Sequence, residues 1–271
     1  MDGDTGGKVY LIGAGPGDPK LLTLRAAEAI SASDVIVYDY LVNPEVLVHA
    51  KRGVELIYAG KRAGEPSISQ EEINQILIEN ARAGRTVARL KGGDPFIFGR
   101  GGEEAEALAA AGIAWEVVPG ISSGIAAAAY AGIPLTHREH SSSVAFITGH
   151  DGLKNREKID WRCTARAAET LVIFMCGATI AKIARDLIEG GRPSDTPIAI
   201  IRWGTYEHQE VYSGTLEDLT QAESLKIAPP AIAIVGDVVA LRDRLRWFGS
   251  RELEYPLRAL AAEARAYAEI G

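Results

Sequence analysis

Cysteine is scarce in this sequence, since its 271 residues include only Cys163 and Cys176. These two lie too far apart for a CxxC pair, so the sequence predicts neither a disulfide framework nor a cysteine-based zinc site. An excess of basic residues is also missing, because the formal net charge is -7. This charge weighs against a protein that binds nucleic acid through a general positive field, although a local basic pocket could still take an acidic small molecule.

Long apolar runs and a leader-like N-terminus are absent as well. The chain begins MDGDTGGKVYLIG, which is acidic where a signal peptide would be basic. No uninterrupted apolar run reaches the length of a membrane span, and no stretch combines low hydrophobicity with high charge. Since 47% of the residues are hydrophobic, the chain can bury a sizeable core. We therefore expect a cytoplasmic globular protein that binds neither membrane nor nucleic acid.

The first glycine-rich turn lacks the fingerprint of a dinucleotide-binding loop. This turn, GAGPGDP, places glycines at positions 13, 15 and 17, whereas a GxGxxG pattern would need a further glycine where Asp18 stands. Pro16 also removes a backbone donor from the loop. The turn therefore disfavours a pyrophosphate ligand, although its glycines still allow another ligand to approach the backbone closely.

Short apolar, β-branched runs alternate with helical patterns, which indicates an α/β fold with mostly parallel sheets. Ser69 and Glu72 have the spacing of a capping box that begins a helix. A strand at residues 209–213 precedes a Gly-Thr turn, which suggests an antiparallel piece in the second half. The other predicted strands are residues 8–12, 34–38, 54–58, 86–90, 115–118, 143–148, 170–175, 198–202 and 231–235, and the helices are 21–30, 73–80, 103–111, 178–189 and 238–245.

Two α/β domains follow from this pattern. The turn at Pro119-Gly120 is the best candidate for a boundary, so we predict domains at residues 8–119 and 120–248. Residues 249–271 are predicted to form an exposed helical tail without a chemical role.

Two further glycine-rich turns are candidates for ligand contacts. The segment KGGDPFIFGRGGEE, residues 91–104, follows a predicted strand and opens a helix, and open α/β sheets bind ligands at such carboxyl ends. It combines five glycines with cations and carboxylates, which a purely structural turn does not need. The segment PGISSGIAAAAYAGIP, residues 119–134, has small residues that suit either a nearby ligand or tight helix packing.

At this point the motifs resemble those of a known family, the S-adenosylmethionine (SAM)-dependent tetrapyrrole methyltransferases of the uroporphyrinogen-III C-methyltransferase type. The resemblance runs in order from about residue 9 to residue 248. It is carried by GAGPGDP, VYD at residues 37–39, GKRAG at 60–64, QEEIN at 70–74, RLKGGDPFIFGRGGEE at 89–104, VPGIS at 118–122, GIPLTHR at 132–138 and VALRD at 239–243.

The resemblance implies a fold, a reaction and a cofactor. It implies a homodimer of two α/β domains with the active site in the inter-domain cleft. The implied reaction methylates C2 and C7 of uroporphyrinogen III, which gives precorrin-2 and leaves S-adenosylhomocysteine, without a metal. The SAM contacts that it implies are Pro16, Gly92, Gly93, Asp94, Ile97, Ser122, Ser123, Met175 and Gly204.

The resemblance also implies roles for charged residues. Asp39 and Lys61 match the family's proton acceptor and proton donor, and Arg100 is a rival for proton transfer. Methylation of a pyrrole carbon must be accompanied by loss of a proton elsewhere on the macrocycle, so a positioned base is chemically sensible. Because the substrate carries eight carboxylates, its site should present cations and neutral hydrogen-bonding partners. The implied substrate residues are Arg100, Glu103, Arg138 and His150.

Tyr40 departs from the family pattern, because an arginine usually follows the VYD aspartate. This removes a carboxylate-binding cation and leaves the affinity for the substrate open. Three alternatives remain: a methyltransferase of the same fold that acts on a later cobalamin precursor, a nicotinamide-dependent dehydrogenase, which Asp18 disfavours, and a non-catalytic SAM-binding protein.

Overall fold

The computed structural model describes residues 7–60, 68–149, 159–221 and 227–259 of the chain. The chain divides into two compact units, Met1–Ser123 and Gly124–Gly271. Both units combine a β-sheet with helices, as the predicted α/β class requires. The boundary predicted at residues 119–120 lies a few residues before this division. None of the described helices is long and apolar enough to cross a membrane.

The first unit is built on a five-stranded sheet in which every pairing is parallel, with the strand order β3-β2-β4-β1-β5. All five strands therefore end at one edge of the sheet. The strands are β1 (Lys8–Gly13), β2 (Val35–Tyr38), β3 (Glu55–Tyr58), β4 (Val87–Lys91) and β5 (Ala114–Val118), and the helices are α1 (Leu24–Ala32), α2 (Gln70–Arg82) and α3 (Gly101–Ala110).

Helices cover both faces of this sheet. One apolar cluster joins α1 to alternate strand residues such as Ile36 and Leu90, and the other joins α2 and α3 to residues such as Val37 and Val87. Because successive strand residues point to opposite faces, Arg89 and Lys91 of β4 share the face of Val87. Two cations are thus buried under α2 and α3.

The ends of two helices follow from local capping. Ser69 and Glu72 form the predicted capping box at the start of α2, with the Glu72 N–H donating to Ser69 Oγ and the Ser69 N–H donating to Glu72 Oε2. Helix α1 begins later than predicted because the Thr23 side chain caps it. The preceding residues Pro19–Leu21 form a short 3-10 turn.

The second unit is built on a six-stranded sheet with the order β11-β9-β8-β10-β7-β6. The predicted antiparallel strand is confirmed as β9, and β10 is antiparallel to both of its neighbours as well. This sheet is therefore more mixed than the sequence indicated. Its strands are β6 (Val144–Thr148), β7 (Thr170–Phe174), β8 (Pro197–Arg202), β9 (Glu210–Thr215), β10 (Ala231–Val235) and β11 (Glu254–Pro256), and the helices are α4 (Ser123–Tyr130), α5 (Trp161–Thr164), α6 (Ile180–Glu189), α7 (Leu216–Thr220) and α8 (Arg242–Leu245).

The prediction of an exposed helix from residue 251 onward is wrong for residues 254–256, whereas residues 257–259 are helical. Glu254–Pro256 instead forms β11, which adds to β9 as a parallel edge strand. Several contacts hold it there: Glu254 pairs with Arg242 and Arg246, the Tyr255 ring stacks on Tyr212, and Leu257 is buried in the core. At residues 254–256, the pairing of β11 with β9 and the burial of the adjacent Leu257 outweigh the helix propensity that the sequence alone suggested.

Replacing Leu257 by alanine is expected to lower the free energy of unfolding by about 2 to 3 kcal/mol, since it deletes a fully buried side chain. Chemical denaturation measures this directly. Leu245→Ala is the matched control, because Leu245 is about half exposed and its loss should change stability by no more than about 0.5 kcal/mol. Equal effects of the two substitutions would contradict the packing of the tail on the core.

Candidate functional site

Two glycine-rich loops are bonded to each other at the carboxyl edge of the first sheet. Gly15 and Gly93 exchange two backbone hydrogen bonds, with N–O distances of 3.2 and 2.7 Å. The Ala14 N–H also donates to the carbonyl oxygen of Lys91 at 2.8 Å. The loops after β1 and β4 therefore form one rigid backbone surface.

A third loop, after β5, joins this surface through Asp94 and Gly120. The Gly120 N–H donates to Asp94 Oδ2 at 3.1 Å, and the Phe96 N–H donates to Asp94 Oδ1 at 2.9 Å. A Cβ added at Gly13 would lie 2.5 Å from Gly120 N and 2.6 Å from the Gly93 carbonyl oxygen. Only glycine permits this approach of three backbones.

Gly93 differs from Gly13 and Gly120, because a Cβ added at Gly93 would have no heavy atom closer than 3.5 Å. Its φ is +71°, and the nearest heavy atom to an added Cβ is Ser123 N at 3.5 Å. Ser122 is buried beside it, while the apolar side chain of Ile97 is partly exposed on the same loop. Backbone groups with an apolar wall suit an adenine and a sulfonium better than they suit a phosphate. These residues fit the SAM that the resemblance implies.

Seven of the nine residues that the resemblance assigns to SAM lie on these three loops or, in the case of Ser123, at the first residue of the helix that follows. They are Pro16, Gly92, Gly93, Asp94, Ile97, Ser122 and Ser123. The structure gives Asp94 a defined structural task, since both of its carboxylate oxygens hold backbone N–H groups.

A cluster of four charged side chains lies next to the loops, on the α2–α3 face of the sheet. Arg89 and Lys91 are only 2% and 3% exposed, and Glu104 is completely buried. Arg89 Nη2 lies 2.7 Å from Asp39 Oδ1, and Arg89 Nε lies 3.0 Å from Glu104 Oε1. Lys91 Nζ lies 2.9 Å from the same Glu104 oxygen and 3.9 Å from Asp39 Oδ2. Asp39 is the member that faces solvent, with its side chain 29% exposed.

Burial changes the acid–base properties of this cluster. Desolvation lowers the pKa of Lys91, and the nearby Arg89 guanidinium lowers it further, while the carboxylates of Glu104 and Asp39 oppose both effects. Glu104 Oε2 has no hydrogen-bond partner within the described residues. All hydrogen bonds between Glu104 and other described residues therefore involve its second oxygen, Oε1.

Arg100 and Glu103 form a separate pair at the start of α3. Two hydrogen bonds, of 2.9 and 2.6 Å, join the guanidinium to the carboxylate on the surface. Glu103 raises the pKa of Arg100, and Arg100 lowers the pKa of Glu103. The pairing makes Arg100 a poor proton acceptor, although its charge can still meet a substrate carboxylate.

Met175 and Gly204 lie in the second unit, after β7 and β8. These strands run in the same direction on either side of β10, so both residues stand at one edge of that sheet. Met175 is 51% exposed with a φ of +54°, so it is not a core methionine. Trp203 and Thr205, which flank Gly204, also have positive φ, and such strain in non-glycine residues clusters at functional sites.

The remaining predicted residues are placed as follows. Arg138 is exposed and forms no ion pair within the described ranges. Tyr40 is 58% exposed beside Asp39. Lys61 and His150 lie outside the described residues.

Three potential metal ligands adjoin Arg138. His137, Glu139 and His140 offer ligand atoms within 4.8 Å of one another. However, His137 Nδ1 accepts the backbone N–H of Glu139 at 3.2 Å, so its Nε2 carries the proton in a neutral ring. A metal would have to displace that bond, and the arrangement favours a closed turn.

The sequence interpretation missed the part played by Arg89 and Glu104. Part of the signal was available, because the strand predicted at residues 86–90 contains Arg89, and a buried charge requires a counter-ion. The observed strand β4 extends to Lys91 and so buries a second cation. The partner itself could not be identified from the spacing, since it depends on how α3 packs on the sheet.

Comparison with known proteins is consistent with this geometry. A family model of the tetrapyrrole (corrin/porphyrin) methylases matches residues 8–220. The uroporphyrinogen-III C-methyltransferase of Bacillus subtilis is 49% identical over 245 residues, which are 90% of this chain and 95% of that protein. A crystal structure of the uroporphyrin-III C-methyltransferase of Thermus thermophilus, complexed with S-adenosylhomocysteine, has a TM-score of 0.75 at 40% identity and covers 87% of this chain and all of that one.

Longer relatives match as well. The siroheme synthase of Sodalis glossinidius is 52% identical over 256 residues, which are 94% of this chain and 54% of that protein. The chain therefore spans about half the length of the siroheme synthases that it matches.

Proposed function

The chain belongs to the tetrapyrrole (corrin/porphyrin) methylases, and from this membership we propose that it transfers methyl groups from SAM to C2 and C7 of uroporphyrinogen III. The product is precorrin-2, an intermediate of sirohaem- and cobalamin-type tetrapyrrole synthesis. The observation that carries the proposal is the match to the Bacillus enzyme over 95% of its length.

The glycine-rich loops of the first unit bind SAM. When bound, SAM supplies an electrophilic methyl group on a positively charged sulfonium. The protein orients this group with the backbone around Gly93 and with Asp94, which fixes the loops after β4 and β5 to each other. Because backbone hydrogen bonds hold these loops to one another, the surface needs little ordering on binding. The resemblance also assigns Met175 and Gly204 to SAM, and we propose them as contacts on that ground.

Asp39 takes the proton that the macrocycle loses after methylation. Its carboxylate pairs with Arg89 and is partly exposed at the strand end, and general acid–base catalysis requires such a positioned group. Arg100 is the weaker candidate because Glu103 holds it in the protonated form. Lys61 keeps the role of proton donor that the resemblance assigns to it.

Cations on the surface of the site bind the carboxylates of the substrate. Arg138 offers a guanidinium that forms no ion pair with any described residue, and Arg100 can exchange its contact with Glu103 for a substrate carboxylate. His150 acts as a neutral partner. We further propose a cytoplasmic homodimer, and sedimentation analysis tests the dimer.

Anaerobic incubation with SAM and enzymatically generated uroporphyrinogen III tests the function, with mass spectrometry of the oxidised product. A gain of two methyl groups is expected, and none should occur when SAM is omitted. Intact SAM binding by calorimetry with no methyl gain would reject uroporphyrinogen III as the substrate. Absence of SAM binding would reject the cofactor assignment.

Tyr40→Arg is expected to lower the Michaelis constant for uroporphyrinogen III by about 1.5- to fivefold, the range of one exposed ion pair. The reason is that the exposed side chain beside Asp39 would gain a charge complementary to the substrate. Steady-state kinetics at low and high salt measure it, since the gain should shrink with salt. Tyr40→Gln is the control, because it removes the ring without adding a charge. An unchanged or higher constant in Tyr40→Arg would remove this explanation.

A further inference from the structure

The four charged side chains beside the SAM loops form a balanced network. Arg89 and Lys91 supply two positive charges, and Asp39 and Glu104 supply two negative ones. Glu104 does not contact Asp39, and its complete burial keeps it from the substrate. We propose that Glu104 and Lys91 are positioning residues that set how strongly Asp39 holds a proton. This inference rests on the proposed function, in which Asp39 is the base.

The contacts of Glu104 explain how it acts at a distance. Its Oε1 accepts from Arg89 Nε at 3.0 Å, from Lys91 Nζ at 2.9 Å and from Gln70 Nε2 at 3.1 Å. Arg89 uses its other end, Nη2, for both oxygens of Asp39, at 2.7 and 2.9 Å. The planar guanidinium is therefore clamped between two carboxylates, and Glu104 fixes the direction in which it meets Asp39.

The balance of charge gives the two residues opposite effects. Without the charge of Glu104, Asp39 becomes the only carboxylate facing two buried cations, which favours its ionised form and weakens it as a base. Without the charge of Lys91, two carboxylates share Arg89, which favours the protonated form of Asp39. A purely structural role for the two residues would not produce shifts of opposite sign.

Few other charged groups face this network from the described residues. Arg100 and Glu103 on α3 pair with each other, and they also interact electrostatically with Glu104 and Lys91, respectively. Glu71 on α2 is exposed and interacts with Arg100. Burial lowers the pKa of Lys91 because a water-poor site disfavours its charged form, and the carboxylates of Glu104 and Asp39 oppose this effect.

Titration of the Asp39 carboxyl carbon tests the proposal without requiring activity. Protein labelled with 13C at the aspartate carboxyl is followed by NMR against pH, and Asp39→Asn assigns the signal. We expect the midpoint to move down by at least about one pH unit in Glu104→Gln and up by at least about one unit in Lys91→Met. Glu104→Asp, which keeps the charge, should restore the midpoint at least in part.

The pH dependence of methyl transfer gives the second readout. Its acid limb should move in the same directions as the NMR midpoints, while the dissociation constant for SAM stays within about twofold, because the SAM loops bind through other groups. Unmoved midpoints, or a shift of the same sign in Glu104→Gln and Lys91→Met, would overturn the inference. Wild-type protein that transfers no methyl group would instead overturn the proposed function. The NMR midpoints would then still test whether Glu104 and Lys91 control the protonation of Asp39.

Discussion

Asp39→Asn is expected to lower the rate of methyl transfer by about 10²- to 10⁴-fold, the contribution of a positioned general base. Asparagine cannot take the proton, but its amide oxygen can still accept from Arg89, so the shape of the site is kept. The dissociation constant for SAM should stay within about twofold, since the SAM loops are bonded to one another independently of Asp39. Anaerobic single-turnover kinetics at saturating SAM measure the loss.

Asp34→Asn is the matched control for this substitution. Asp34 immediately precedes the same strand, β2, at its opposite end, where its carboxylate pairs with Lys51 and accepts the Thr86 N–H. Its replacement should leave the rate of methyl transfer unchanged. A rate in Asp39→Asn above about a tenth of the wild-type value would contradict the assignment of Asp39 as the base. Lys61 and Arg100 would then be the groups to replace next.

The part of the fold that local patterns specify could be predicted from the sequence. The strands of the first sheet are short apolar runs, and the capping box at Ser69 fixes the start of α2 within a residue. The position of the glycine-rich loops followed as well, because parallel strands end at one edge. These features depend on nearest neighbours along the chain, which the sequence displays directly.

Features that depend on pairings between distant segments could not be predicted. Strands β2 and β4 are neighbours although β3 lies between them in the chain, and only this order brings Asp39 to Arg89. The antiparallel direction of β10 has no local signature, because a strand buried on both faces has the same composition in either direction. The tail strand β11 likewise depends on its pairing with β9.

The candidate site likewise has a part that local sequence patterns predict and a part that depends on packing between distant segments. Its backbone part, the glycine loops, was visible as a motif, because glycine is required where backbones meet closely. Its buried charges were visible one by one but not as a network, since the counter-ion Glu104 comes from a helix whose packing the spacing does not determine. A buried cation in a predicted strand should therefore prompt a search for carboxylates on the next helix.

Gly93→Ala is expected to weaken SAM binding by at least about tenfold, because the new methyl group would enter the space assigned to the ligand. Within the protein itself the methyl group is tolerated, since its nearest neighbour would be Ser123 N at 3.5 Å. The substitution should cost about 1 to 2 kcal/mol of stability for placing alanine at a φ of +71°. Isothermal titration calorimetry with SAM and chemical denaturation measure the two effects separately.

Gly112→Ala separates the effect of backbone strain from the effect on the ligand. Gly112 has a φ of +69°, and an added Cβ there has no atom within 4 Å, so alanine bears the same strain in open space. The residue lies between α3 and β5, at the edge of the sheet opposite the glycine loops. We expect Gly112→Ala to lose a similar amount of stability and to bind SAM as the wild type does. Normal SAM binding in Gly93→Ala would mean that the ligand does not approach this glycine, and the cofactor site would then have to lie away from the loop after β4.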